Sequence, residues 1–302
     1  MAQKNKISGV LPVYKPEGWT SFDVVAKLRG ITGIKKIGHG GTLDPMAAGV
    51  LPVFLGRAAR ACDIMPDDRK RYIAGFRLGE TTDTLDITGR VTDSCGKKVS
   101  REDIETALAG FVGDILQVPP MYSAIKVNGK KLYELARAGE TIEPEPREIT
   151  VDEIKLTQFD EKSQTGVLVI SCRKGTYVRA LIRDIALKCG TFGVMTALER
   201  TFSGGFSLDE CFTIAEITEA VSDRELRDIL LPTDKIFDLY EDIRLGAFET
   251  RLYKNGVRLR AEQSGKEPDD RLYRVYGFDG EFLGLGRFFG TELGNFKSFF
   301  EV

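Results

Sequence analysis

The sequence predicts an α+β protein that closes in a small β-rich domain. Three observations carry this. Apolar runs of strand length stand at 9–14, 50–55 and 72–79. Apolar residues recur at helical spacing after Thr20, over 101–111 and over 177–189. From about residue 243 short strand-like runs separated by Gly, Asn and Asp take over. At roughly 100–200 residues per domain, 302 residues suit two domains, expected at 1–242 and 243–302.

The elements follow in order. Residues 9–14 (GVLPVY) form a short apolar strand. Thr20-Ser21-Phe22-Asp23 is a helix start, with Thr20 capping an N–H and Asp23 at the positive end, and Val24, Val25 and Leu28 supply the apolar face. A glycine-rich turn, Gly38-His39-Gly40-Gly41-Thr42-Leu43-Asp44-Pro45, precedes the buried strand 50–55. Residues 72–79 give another strand, and 101–111 an amphipathic helix with Ile104, Leu108 and Phe111 inward. The stretch 119–147 opens on Pro119-Pro120 and closes on Glu-Pro repeats, which predicts a partly mobile insertion. Residues 149–157 and 166–173 alternate like paired strands, and 177–189 is a helix with Val178, Leu181, Ile182 and Ile185 on one face. The region 211–240 reads as helical and acidic. Asp279-Gly280 between the runs 271–277 and 282–287 predicts a hairpin.

Composition narrows the chemistry. One histidine and five cysteines, none with CxxC spacing, give little support to a zinc site, a haem or a disulfide framework, so a cofactor-free mechanism is expected. No run approaches the ~20 apolar residues that span a bilayer, and the N-terminus lacks the apolar core of a signal peptide; a cytoplasmic protein without membrane association is expected. The net charge of -2 hides a local pattern. Acids concentrate over 207–242, while bases cluster at Lys27–Lys36, Arg69–Arg71, Lys126–Lys131 and Arg173–Arg183. A face assembled from such clusters suits phosphates.

The stretch 38–49 (GHGGTLDPMAAG) is where chemistry is expected. On residues alone Asp44 is first a turn aspartate, since Asp before Pro is common turn chemistry. The longer pattern changes that. GHGGTLDPMAAGVLPV resembles the catalytic motif of the TruB pseudouridine synthases, G-H-x-G-T-L-D-P-x-A-x-G. Four further blocks resemble that family in the same order: Lys15-Pro16-Glu17-Gly18-Trp19-Thr20-Ser21; Lys70-Arg71-Tyr72 with Thr82-Asp83-Thr84-Leu85-Asp86; Val118-Pro119-Pro120-Met121-Tyr122-Ser123-Ala124-Ile125-Lys126; and Lys174-Gly175-Thr176-Tyr177-Val178-Arg179. The resemblance spans about residues 9–210. More weakly, 245–302 is similar to the small PUA-type RNA-binding domain of these enzymes.

The resemblance implies a pseudouridine synthase fold: a mixed, mostly antiparallel sheet with flanking helices and a PUA-like C-terminal domain. It implies isomerisation of uridine-55 in the T-loop of tRNA, without cofactor or metal. Asp44 is then the catalytic carboxylate, whether it attacks C1′, attacks uracil C6 or abstracts a sugar proton. Arg179 is expected to pair with it. Tyr72 is expected to stack on the flipped uracil, and His39 to fill the gap the base leaves. Tyr177 and Leu198 would line the uracil pocket. Lys15 and Lys126 would contact phosphate or brace the structure, and Asp86 would organise the region near Tyr72 or contact RNA. The insertion, with Lys126, Lys130, Lys131 and Arg137, suits backbone contacts and implies a monomer acting on the T-arm stem-loop without guide RNA. Gly40 stands where many members carry a larger residue, which is expected to loosen the loop. Two competing functions are weaker. A non-catalytic tRNA-binding protein or chaperone on the same fold would not need the Asp44, Tyr72 and Arg179 set, and a glycoside hydrolase would need a second opposed carboxylate.

Overall fold

The computed structural model describes residues 7–300 except 124, 128, 141, 143 and 223–225, and the backbone alone at 126, 131 and 137. Strand β1 (Gly9–Lys15) leads into helix α1 (Ser21–Thr32), then β2 (Ile37–His39), β3 (Ala47–Leu55), β4 (Lys70–Leu78), β5 (Glu80–Thr82) and β6 (Val91–Ser94). Next come α2 (Arg101–Leu108), β7 (Gly113–Gln117), the small pair β8 (Lys126–Val127) and β9 (Lys130–Lys131), and α3 (Leu132–Arg137). The long strands β10 (Arg147–Asp160) and β11 (Thr165–Cys172) precede α4 (Val178–Lys188), β12 (Gly193–Ser203), β13 (Phe206–Ser207) and α5 (Ile214–Ser222).

The main sheet has the order β1-β3-β12-β4-β11-β10-β7, with β2 on β3 and β13 on β12. Every pairing is antiparallel except β3 with β12. The antiparallel pairing of β10 with β11 matches the alternation in the sequence. So does the start of α1, where Thr20 and Asp23 form a complete capping box. Helices α2 and α4 cover one core, which includes Phe76, Ile104, Leu108, Leu168, Leu181 and Ile185. A second core, including Val24, Leu28, Leu51, Val53 and Ile217, lies under α1 and α5.

The parallel contact needs a glycine. Gly49 has φ +106, and a Cβ there would stand 2.2 Å from the carbonyl oxygen of Arg200 on β12. Only a residue without a side chain lets the two backbones meet at this point.

The C-terminal part holds β14 (Asp242–Arg244), α6 (Ala247–Lys254), β15 (Leu259–Arg260), α7 (Ala261–Ser264), β16 (Tyr273–Tyr276), β17 (Phe282–Phe289) and β18 (Glu292–Ser298). They form a five-stranded sheet, β14-β16-β17-β18-β15. The expected hairpin at Asp279-Gly280 joins β16 to β17. This sheet shares a core with the first: Val10, Phe54 and Ala58 pack in one cluster with Phe237, Leu285 and Phe299.

Two expectations need adjustment, over 211–240 and at Gly40. Among the described residues the region 211–240 is helical only over α5 and a short 3-10 turn at Thr233–Phe237. Between them Leu231 exchanges both backbone hydrogen bonds with Val10, so the chain is extended there. The stretch 119–147 holds the β8–β9 hairpin and α3, anchored by buried Leu132 and Leu135. Gly40 does not leave slack: a Cβ there would stand 2.5 Å from the Met65 sulfur, so Met65 fills the space. Among the described residues no helix is long and apolar enough to cross a membrane.

Candidate active site

The loop 40–46 reaches the head of β3 held from several sides. Arg200, fully buried on β12, donates from Nε to the Val50 carbonyl at 2.7 Å, from Nη2 to Gly41 at 3.2 Å and from Nη1 to Thr42 at 3.4 Å. The Ser21 hydroxyl, in the first turn of α1, accepts from the Leu43 N–H at 2.9 Å. The Pro45 carbonyl accepts from the Gly18 N–H at 2.8 Å. Lys15 is also fully buried, and its Nζ donates to the carbonyls of Pro16 (2.8 Å), Trp19 (2.5 Å) and Pro45 (3.4 Å). Its three N–H groups are thereby occupied. Of the two roles open to Lys15, phosphate contact is excluded by burial, and bracing is what the geometry gives. Burial pulls this amine down to about 8, against the opposing pull of the Asp44 carboxylate.

Asp44 stands at the centre of these ties. Its Oδ2 lies 2.9 Å from Arg179 Nε, and its side chain is 37% exposed while that of Arg179 is 5% exposed. The carboxylate therefore keeps an open side, and the guanidinium backs it from within. Arg179 is the second residue of α4, whose buried residues include Val178, Leu181, Ile182 and Ile185. Both of its Nη atoms are engaged as well. Nη1 donates to the Thr84 carbonyl at 2.8 Å and lies 3.6 Å from Asp86 Oδ2, and Nη2 donates to the Tyr122 carbonyl at 3.0 Å. Asp86 is buried, and its Oδ1 accepts from the Thr84 hydroxyl at 2.9 Å and the Thr88 N–H at 3.0 Å. Asp86 is thus a buried carboxylate beside the Arg179 guanidinium, with 7% of its side chain exposed.

The other predicted residues gather around this pair to differing degrees. Tyr72 on β4 is in register with Arg200 on β12 and Ile170 on β11. It belongs to the core cluster that contains Leu43, Ala47 and Leu198. Only 6% of it is exposed, so little of the ring is open to a base in this form. Burial raises its hydroxyl above the usual tyrosine value, with the Arg200 guanidinium and a hydrogen bond from it pulling the other way. Leu198, two residues before Arg200, is buried beside Ala47 and Ala74. Tyr177 is half-buried at the start of α4, and the Gln117 side chain grips both its N–H (2.9 Å) and its carbonyl (3.1 Å). His39 is half-buried on β2, and burial lowers its imidazole below the usual value. The Lys126 and Lys131 side chains and that of Arg137 lie outside the described residues.

Sequence reading assigned no role to Arg200, Gln117, Thr84 or Ser21. Arg200 follows Leu198 by two positions and so shares its face of a strand; the signal was there once 193–203 is recognised as a strand. Among the described residues no cluster of His, Cys, Asp and Glu is arranged to hold a metal ion.

A model of the TruB family pseudouridylate synthase N-terminal domain matches residues 29–178, and one of the tRNA pseudouridylate synthase B C-terminal domain matches 179–238. A tRNA pseudouridine synthase B of Clostridium novyi is 43% identical over 283 residues, covering 93% of this chain and 95% of its own. One of Pediococcus pentosaceus is 41% identical over 265 residues, covering 85% and 89%. The chain belongs to the TruB family of pseudouridylate synthases, enzymes of the isomerase class. Its fold is the pseudouridine synthase fold. A solved Cbf5-Nop10-Gar1 complex contains a chain with TM-score 0.74 and 24% identity, covering 97% of this chain and 85% of that one. An H/ACA RNP bound to a substrate RNA containing 2′-deoxyuridine contains one with TM-score 0.72 and 23% identity, covering 97% and 85%.

Proposed function

We propose that the protein converts uridine-55 in the T-loop of tRNA to pseudouridine, with Asp44 as the catalytic carboxylate. The observation that carries this reading is the Asp44–Arg179 contact of 2.9 Å, open on the acid's side and closed on the base's. The reaction breaks the N-glycosidic bond, turns the uracil and joins its C5 to C1′; the proton on C5 leaves to solvent and N1, released from the sugar, takes one up. Asp44 must be ionised for any of its possible parts, and the paired guanidinium holds the carboxylate's orientation. The target base lies in a folded loop and has to leave its stack, at a cost of a few kcal/mol. Stacking on Tyr72, worth roughly 1–3 kcal/mol, offsets part of that cost. Because Tyr72 is nearly covered, the base must displace what lies over it. His39, neutral at pH 7 because of its burial, takes the place of the base by stacking and moves no proton. Leu198 and Tyr177 bound the uracil.

The name shared by the Clostridium and Pediococcus relatives supports tRNA as the substrate. The protein acts alone on the T-arm, as a monomer in the cytoplasm, with the region 119–147 laid against the RNA and the C-terminal sheet as a second, PUA-like RNA contact. The test is tritium release from tRNA labelled at uridine C5, with neither metal nor guide RNA added. The wild type releases tritium, and Asp44→Ala abolishes release while tRNA still binds. Near-normal turnover by Asp44→Ala would remove the assigned chemistry.

A further inference from the structure

The edge of the catalytic loop carries positive charge that the reaction, as described, does not use. Gly41 has φ +101 and is only partly covered. The point where a Gly41 Cβ would stand lies 3.6 Å from Lys70 Nζ and 3.7 Å from Arg200 Nη1. Two cations on neighbouring strands, β4 and β12, thus converge on one opening in the loop. Neither is neutralised. Arg200 spends its hydrogen bonds on three carbonyls and the Tyr72 hydroxyl, all neutral groups, and the Lys70 amine makes no hydrogen bond or ion pair with any described residue. Asp68, the one carboxylate whose charge acts appreciably on Lys70, is held by Arg173 at 3.2 Å.

Half-buried charges are ordinarily paired or hydrogen-bonded. Here the sum is two like charges within reach of one point, and the missing partner is an anion. The opening is shaped for it. Glycine at 41 leaves room where a side chain would intrude, and no described residue takes the Gly41 N–H, which remains free to donate. Lys70 supplies a half-buried ammonium beside it, and Arg200, fully covered, adds its charge from behind the loop. The opening is three residues from Asp44 and two from His39.

We propose that Gly41, Lys70 and Arg200 form a subsite for one backbone phosphate of the substrate RNA, at a linkage beside the flipped nucleotide. The proposal rests on the RNA-isomerase reading above and deepens it. It assigns to Lys70 a positioning role: anchoring one phosphate fixes the register of the strand from which the uridine swings out. Burial and the Arg200 charge together pull the Lys70 amine down to about 8. A phosphodiester at the opening offsets both effects, so the bound state keeps Lys70 charged.

The test uses T-arm stem-loops with the linkages on either side of the target uridine neutralised one at a time as methylphosphonates. KM and kcat are read by tritium release, and affinity by filter binding. With the wild-type chain, one linkage raises KM roughly tenfold on neutralisation, the size of one charge-assisted hydrogen bond, with little change in kcat. Lys70→Met raises KM on unmodified RNA by a similar factor and is insensitive to that methylphosphonate, and Lys70→Arg restores the sensitivity. The slope of log affinity against log salt falls by about 0.7 in Lys70→Met, the increment for one single-strand phosphate. Losses from Lys70→Met and from every methylphosphonate that simply multiply overturn the subsite. So does competition by inorganic phosphate at millimolar concentration with no sensitive linkage, which would mark a site for the free ion. Should Lys70→Met fail to fold, Lys70→Arg decides: loss of sensitivity at every linkage in that charged variant overturns the proposal. Failure of the isomerase reading looks different. Tritium release is then absent with unmodified RNA and wild-type chain, while filter binding across the methylphosphonate series still reads the subsite.

Discussion

Asp44 depends on side chains buried behind its loop. Arg200 ties three carbonyls of the loop and of β3 from a fully buried position. Arg200→Met leaves those acceptors unsatisfied, and a loss of roughly 3–5 kcal/mol in unfolding free energy is expected, measured by urea denaturation. A change below about 1 kcal/mol would show that the loop is held by other means. His39 offers a pH test, because it is the one histidine in the chain. Burial lowers its folded value below 6.5. The unfolded chain then binds a proton that the folded chain does not, so stability is full above that window and declines as pH falls through it. The imidazole carbon signal, followed by NMR in the free protein, should titrate with a midpoint under 6.5. A midpoint above 7 would contradict both the burial argument and the neutral stacking role. Lys70 predicts the opposite slope for binding. Its free amine titrates near 8 among Arg200, Cys172, Asp68 and Lys174, and bound phosphate raises that value. RNA affinity is therefore full below pH 8 and weakens as pH climbs past it. In Lys70→Arg that weakening should be absent between pH 8 and 9.5.

The elements show how far local sequence carries. The capping box at Thr20, the β10–β11 pair and the inward face of α4 all rest on signals within a dozen residues, and all are present. So is the loop 38–45, whose motif placed Asp44 and paired it with Arg179. Strand β12 is different. Its sequence GVMTALERTFS places Glu199, Arg200 and Thr201 among apolar residues, and no alternation marks it as a strand between two others. It takes that place because β3 and β4 flank it, and the carbonyls that satisfy its arginine lie on β3 and the loop before it, 150 to 159 residues earlier. Nothing near Arg200 in sequence announces those partners. The same holds for Lys15, whose motif membership left phosphate contact and bracing both open and whose burial against three carbonyls gives a brace. Gly49 offers the test at this scale. Alanine there meets the Arg200 carbonyl and takes a φ near +106. Gly49→Ala is expected to cost roughly 3 kcal/mol or more and to lower turnover with it. Unchanged melting would mean that the β3–β12 approach is looser than described.

Across the molecule, the C-terminal sheet is not an appended bead. Phe237, Leu285 and Phe299 share a core with Val10, Phe54 and Ala58, and Arg60 donates to the Ser298 carbonyl at 2.8 Å across the same junction. A shared core couples the two sheets in unfolding. The full chain should show one calorimetric transition, and a chain ending at residue 242 should melt lower and expose apolar surface to a hydrophobic dye. Two well-separated transitions in the full chain would show that the sheets are independent. The ties on the catalytic loop also set an order of events during synthesis. Lys15 and Ser21 leave the ribosome early, yet Arg200 comes some 156 residues after Asp44. A nascent chain stopped at residue 190 carries the whole loop motif and Arg179, but not the guanidinium that aligns the Gly41 and Thr42 carbonyls. Such a chain can display the signature of the enzyme with no turnover, and modification of RNA waits on β12.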